Sequence, residues 1–208
     1  MTASSSSPYL IYSDDSLLVV NKPAGLLAVP GRGADKQDCV STRLQREFPD
    51  ALVVHRLDMA TSGLMLFARG AEMQRHLSRM FQEREVDKRY VAVVAGKLDA
   101  AGEINLPIVA DWPNRPLRKI DAALGKPSLT RYLALIHDCG TTRAELEPVT
   151  GRTHQLRVHM AAIGHPILGD ALYGDAASAP RLLLHACSLS FPHPLSGQPL
   201  KFDCKPPF

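Results

Sequence analysis

Residues 53–67 read Val-Val-His-Arg-Leu-Asp-Met-Ala-Thr-Ser-Gly-Leu-Met-Leu-Phe, and no other stretch constrains the chain as much. The apolar runs at 52–54 and 64–68 have the length and the β-branched or large apolar content of buried strands. Between them lies a polar passage with His55, Arg56, Asp58, Thr61, Ser62 and Gly63. Reversing the chain there requires the Ser and the Gly, but not an arginine and a carboxylate two residues apart. From the residues alone two readings are open. In one, Asp58 makes an Asx-type turn and Arg56 is a solvated charge; in the other, the loop carries chemistry.

Short strands and a few helices surround this stretch. Residues 9–11 and 17–21 read as strands joined by the turn Ser13-Asp14-Asp15-Ser16. The second runs into Asn21-Lys22-Pro23-Ala24-Gly25, which breaks the ladder and leaves Lys22 at a strand end, either on the surface or carried into a site. Spacing predicts a short helix over 40–48, with Val40, Leu44 and Phe48 inward. It predicts an amphipathic helix over 71–85, with Met73, Leu77, Met80 and Phe81 opposite Arg75, Arg79 and Glu83. The strand at 88–94 puts Tyr90, Ala92 and Val94 on one face, where Tyr90 reads as a core ring with its hydroxyl at the edge.

Residues 111–119 hold the single tryptophan, two prolines and three cations, a stiffened loop. It suits single-stranded RNA, where rings stack bases and cations hold phosphates; a Trp112 that pins the loop to the core fits equally well. Further strands are expected at 120–122, 128–136, 143–147, 182–191 and 200–204. A helix opens after Gly151 and ends at Gly164, with Leu156, Met160 and Ile163 as its buried stripe and Arg157 one turn after His154. Many short strands with two or three helices indicate an α+β fold with a largely antiparallel sheet. There is no internal repeat and no linker that would divide the chain.

The 208 residues suffice for a full core, and 22% charged residues is an ordinary globular value. Residues 1–8 are Ser-rich, with neither a charged start nor an apolar stretch, so a disordered tail and a cytoplasmic protein are expected. Cys39, Cys139, Cys187 and Cys204 are far apart and suggest neither a zinc site nor a disulfide framework. His154 and His159 are five apart, about 140° around a helix, and cannot share one ion without help. A net charge of +3 decides little, but the basic clusters at 84–89, 115–119 and 152–157 favour a phosphate-rich partner.

Several ordered motifs resemble the RluA-type pseudouridine synthases. They are His55-Arg56-Leu57-Asp58 with Thr61-Ser62-Gly63, then Lys88-Arg89-Tyr90-Val91-Ala92, then Gly151-Arg152-Thr153-His154-Gln155-Leu156-Arg157-Val158-His159. Asn21-Lys22-Pro23-Ala24-Gly25, Leu168-Gly169-Asp170 with Tyr173, and Leu182-Leu183-Leu184-His185-Ala186 add support. The 111–119 loop is similar to that of the small family members acting on both a tRNA anticodon stem-loop and a 23S rRNA stem-loop.

The resemblance implies a single catalytic domain over 9–208, with a bent, mostly antiparallel central sheet flanked by helices and loops, and no separate N-terminal RNA-binding domain. It implies an isomerase that flips a uridine out of its stack and reattaches the base through C5, as a monomer and without metal or cofactor. Asp58 would work at the ribose C1′; free aspartate, with a pKa of about 3.9, is ionised at neutral pH. Arg157 would pair with that carboxylate and Tyr90 would stack on the uracil. Arg56 would fill the vacated space. The RNA contacts implied are Lys22, Trp112, Asn114, Arg115, Arg118, Lys119, Arg152, His154, Gln155 and His185.

Three alternatives stand beside this reading. One is another small single-domain tRNA synthase, and one is an RNA-binding module or RNA chaperone without turnover, which retention of the Asp58, Tyr90 and Arg157 motifs argues against. The third is a metal-dependent hydrolase built from His55, Asp58, His154 and His159, already weakened by the histidine spacing.

Overall fold

The computed structural model describes residues 9–208; the tail expected at 1–8 lies outside the described residues. In chain order the elements are β1 (Leu10–Ser13), β2 (Leu17–Lys22), α1 (Val40–Gln45), β3 (Ala51–Val53), β4 (Ser62–Arg69), α2 (Gly70–Glu83), β5 (Asp87–Ala95), β6 (Ala101–Asn105), β7 (Ile108–Ala110), β8 (Arg118–Ile120), β9 (Leu129–Asp138), β10 (Thr141–Pro148), α3 (Gln155–Ala162), β11 (Leu184–Pro192) and β12 (Pro199–Asp203). The α+β class is as expected. The chain divides into two compact units, one of residues up to 87 with 186–205, the other of residues 88–185 with 206–208. The boundaries at 87 and 185 fall within β5 and β11, not in a Gly- or Pro-rich linker, so composition gives no sign of them. Among the described residues no helix is long and apolar enough to cross a membrane.

In the first unit β2 pairs antiparallel with β1 and β4, and β3 also pairs with β4. β12 pairs antiparallel with β11. Leu17, Leu18, Val19 and Val20 of β2 are buried, as are the residues from Leu64 to Ala68 in β4. Strands covered on both faces have no solvated face to encode, so they read as unbroken apolar runs. α2 lays Leu77 and Met80, with Met73 and Phe81 at their flanks, on a core of Leu17, Val19, Leu64, Leu66, Leu189 and Phe191. Each fully buried side chain of this kind contributes about 1.5–3 kcal/mol. The helix stops at Arg84, whose left-handed backbone (φ 64°) lets its amide return to the Met80 carbonyl. α1 is shorter than spacing predicted and begins with a capping box in which the Cys39 sulfur stands in for a serine oxygen and Thr42 answers it.

In the second unit β5, β10, β9 and β6 form an antiparallel run in that order. Ala92 and Val94 are fully buried, and half-buried Tyr90 extends the same face toward the strand's start, opposite Leu146 of β10. On the other face Arg89 is ion-paired with Glu145 and Glu147. β7 and β8 form a separate two-stranded ribbon with residues 111–117 as its tip. Neither β6 nor β7 was visible in the sequence, since β6 is mixed in polarity and β7 is only three residues long.

Gly63, at the start of β4, has φ 114°, and a Cβ there would run into the backbone of Ala186 on β11. Left-handed backbone and close strand approach both demand glycine. Gly63→Ala is expected to destabilise the protein by more than about 2 kcal/mol, measured as a lower midpoint in urea unfolding. A variant as stable as the wild type would show that the β4–β11 approach is looser than described.

Candidate functional site

In the first unit Asp58 is half-buried on the loop between β3 and β4, and its carbonyl accepts the Thr61 amide at 3.1 Å. Arg56 and Met59 on either side of it are exposed. Beneath the loop the Lys22 ammonium donates to the carbonyls of Pro23 (2.8 Å), Leu26 (2.7 Å) and Met59 (3.0 Å). Met59 also accepts the Gly25 amide at 2.9 Å, so the residue after Asp58 is tied twice to the turn that follows β2. Lys22 is therefore neither a surface lysine nor an RNA contact: it is fully buried, and the carbonyls of two irregular segments take up its charge. His55 is a brace. Its Nε2 accepts the Leu66 amide at 2.9 Å, and its ring stacks on Phe81 with centroids 4.4 Å apart.

In the second unit α3 begins later than expected, at Gln155, after a turn that ends with His154 in the left-handed region (φ 59°). Each residue from Gln155 to Met160 is buried, a wider face than the stripe of Leu156, Met160 and Ile163. Arg157 closes a two-pronged contact on Asp170, Nε to Oδ2 at 2.8 Å and Nη2 to Oδ1 at 2.7 Å, with the side chains 5% and 1% exposed. Asp170 Oδ1 also accepts the amides of Leu172 (2.9 Å) and Tyr173 (3.2 Å). Burial pushes the Asp170 pKa up, but the Arg157 guanidinium and the two amides outweigh it and hold the carboxyl below its usual range.

Tyr173 turns its ring toward Arg157, with Cζ 5.3 Å from the centroid, and places its hydroxyl 2.7 Å from His154 Nδ1. The same hydroxyl accepts the Arg118 amide at 2.9 Å. Asp170 and Tyr173 were visible as motif letters but carried no role; only packing shows that they gather Arg157, His154 and Arg118.

Two expected RNA contacts in this unit are buried instead. Gln155, 3% exposed, donates to the Leu129 carbonyl and to Thr130 Oγ1, and accepts from the Thr150 hydroxyl and the Arg152 amide. Its four polar valences thus brace the strand end against the helix. His185, at the start of β11, is 1% exposed and has no access to a phosphate. The metal-hydrolase reading also loses support, because His159 is sealed between Thr130 Oγ1 and the Leu106 carbonyl, each at 2.9 Å, and burial pushes its pKa down. Among the described residues no group of three or more His, Cys, Asp or Glu is placed to hold a metal ion.

The ribbon tip is exposed. Trp112 is 64% accessible, which excludes the core-anchor reading, and the Arg115 guanidinium lies 3.5 Å from its ring centroid. Asn114 donates through Nδ2 to Asp111 Oδ2 at 2.9 Å, closing the loop on itself. Lys119 and Arg152 are exposed, and the Arg152 Nε contacts the Pro127 carbonyl at 3.4 Å. The tip thus presents one aromatic ring and several cations to solvent, a surface suited to stacked bases and phosphates.

A family model described as RNA pseudouridylate synthase matches residues 16–162. The "Dual-specificity RNA pseudouridine synthase RluA" of Yersinia pestis is 50% identical over 204 residues, covering 96% of this chain and 99% of that protein. The protein of the same name from Escherichia coli (strain K12) is also 50% identical over 204 residues, covering 96% and 93%. Among solved structures, "Human RNA Pseudouridylate Synthase Domain Containing 1" is similar with a TM-score of 0.79 and 30% identity, covering 96% of this chain and 84% of that one.

Removing one partner of a buried ion pair strands the other, so Asp170→Asn should cost about 3–5 kcal/mol at neutral pH. Because the folded carboxyl has a lowered pKa, its contribution is complete above the unfolded value of about 3.9 and fades as pH falls through the lower folded value. Urea unfolding of both proteins at a series of pH values should show the stability gap closing in that acid window. A gap that stays constant from neutral pH down to about pH 3 would mean that Asp170 is not held by Arg157.

Proposed function

The chain belongs to the RNA pseudouridylate synthase family, and from that premise we propose which residues carry the reaction and which RNA they meet. It is an isomerase that converts uridine in RNA to pseudouridine. We assign Asp58 as the carboxylate that works at the ribose C1′, Tyr90 as the platform for the uracil, and Arg157 as the cation of the catalytic set. The observation that carries the reading is the 50% identity over 96% of the chain. Residues 9–208 act as one catalytic domain, in the cytoplasm and as a monomer.

The placements within each unit support these roles. Asp58 lies on a loop fixed from beneath by Lys22, so the backbone that carries its carboxylate is held before substrate arrives. Exposed Arg56, two residues away, is free to fill the gap left when a uridine leaves its stack. Tyr90 offers a half-buried ring at a strand start. Arg157 is locked in orientation by Asp170. The substrates proposed are a tRNA anticodon stem-loop and a 23S rRNA stem-loop; the dual specificity in the relatives' names and the exposed Trp112–Arg115 tip support this. Trp112, Asn114, Arg115, Arg118, Lys119, Arg152 and His154 remain as proposed RNA contacts.

Asp58→Asn is expected to abolish tritium release from C5-labelled uridine RNA while leaving RNA affinity within about three-fold, since the carboxylate is assigned to chemistry and not to binding. Retained turnover would falsify the assignment of Asp58. Loss of RNA affinity in step with turnover would instead favour a binding role. For the tip, Trp112→Ala and Arg115→Ala should weaken RNA binding by about 1–3 kcal/mol with little change in melting temperature. Wild-type affinity should fall with salt at a log-log slope of about −0.7 per neutralised phosphate. Unchanged affinity in both variants and a flat salt response would remove the tip from the RNA interface. Mapping pseudouridines in tRNA and rRNA from cells lacking the protein separates a dual enzyme from one confined to tRNA.

A further inference from the structure

Arg118 lies far in sequence from His154 and Arg157, yet Tyr173 contacts all three. The Tyr173 hydroxyl is 2.7 Å from His154 Nδ1 and accepts the Arg118 backbone amide at 2.9 Å. The Tyr173 amide donates to Asp170, the partner of Arg157. The phenolic oxygen thus takes part in two hydrogen bonds, one accepted from the Arg118 amide and one shared with His154 Nδ1, in which the donor follows the imidazole tautomer.

Both ends of this bridge are places where the backbone needs holding. His154 sits in the left-handed region, which a residue with a side chain adopts only where its surroundings impose it. Arg118 is the first residue of β8, at the base of the tip that carries Trp112 and Arg115, where it pairs with Ala110. Within the tip the Asp111 amide closes on the Leu117 carbonyl at 3.0 Å, so the loop is internally compact and its orientation depends on its base.

We propose that Tyr173 is a positioning residue for RNA recognition: its hydroxyl clasps the base of the 111–119 loop to the turn that opens α3, presenting the Trp112–Arg115 stack in one orientation. This rests on the reading of that loop as an RNA contact. Ordering the loop during folding removes that entropy cost from the binding step.

The single tryptophan of the chain lies in this tip, so its emission reports the tip alone. Tyr173→Phe keeps the ring beside Arg157 and removes only the hydroxyl. In that variant Trp112 fluorescence anisotropy is expected to fall and hydrogen exchange at the Arg118 amide to accelerate. KM for stem-loop RNA should rise about three- to ten-fold, with kcat within about two-fold. Wild-type anisotropy and exchange in the variant would overturn the proposal. So would a loss in kcat at constant KM, which would place Tyr173 with Arg157 in the chemistry. If the variant does not fold, exchange in the wild type decides. An Arg118 amide protected well beyond that of Trp112 supports the clasp, and one exchanging as fast as Trp112 overturns it. Absence of pseudouridine formation by the wild type would instead sink the assigned reaction. The anisotropy and exchange measurements, with RNA affinity in place of KM, would still decide the role of Tyr173.

Discussion

A charge withdrawn from water has to be met by an opposite charge or by aligned dipoles, and each unit is organised around a cation in that position. In the first it is Lys22, whose three ammonium protons find three carbonyls, one of them on the residue next to Asp58. In the second it is Arg157, gripped by Asp170, which in turn orders the backbone at Leu172 and Tyr173. The interactions that make burial of these cations tolerable are the same ones that fix the neighbouring loops. Stability and loop geometry are therefore coupled in both units, and a substitution at either cation acts on both.

The longer strands and helices that bury apolar side chains were legible, because periodicity records burial directly, while short β6 and β7 were missed although they bury Ile104 and Ile108. β2 and β4 appeared as apolar runs, β11 as a strand within 182–191, and α2 through Met73, Leu77, Met80 and Phe81 on one side. Asp58, Tyr90 and Arg157 stood out only as a set of motifs, since each alone admits a structural role. The direction of polar side chains was hidden. Lys22, Gln155 and His185 read as surface residues by type, and all three are buried. A sequence shows that a residue can make hydrogen bonds, but not whether packing supplies the partners; the carbonyls that receive Lys22 lie as far as 37 positions away. Trp112 shows the converse, a large apolar ring left in solvent where the prior favours burial.

The run from Gly151 to His159 illustrates how one motif serves two ends. Arg152 faces solvent, and His154 is turned by its left-handed backbone to meet Tyr173. Gln155 and His159 bond to the same hydroxyl of Thr130, seating α3 on the start of β9. Arg157, between them in sequence, reaches Asp170. Scaffold and function alternate over nine residues because each turn of the helix must be seated before its arginine can be aimed. Burial of a neutral His159 adds a cost at low pH, since charging it there would leave a cation without a compensating anion.

The exposed ring of Trp112 is already covered on one face by Arg115, and if the tip meets RNA as proposed, relative magnitudes decide what an incoming base would do. A cation–π contact at an exposed site is worth about 0.5–1 kcal/mol. Stacking of a base on an aromatic ring is worth about 1–3 kcal/mol. On the proposed RNA contact, a base would outcompete the guanidinium for the covered face and leave the displaced Arg115 beside the stack, within reach of a phosphate. If the base takes the open face, Arg115 stays in place and the ring is covered on both sides. In either case the stack in the free protein holds ring and cation together before RNA arrives. It also shields part of an apolar surface that would otherwise stand bare in water.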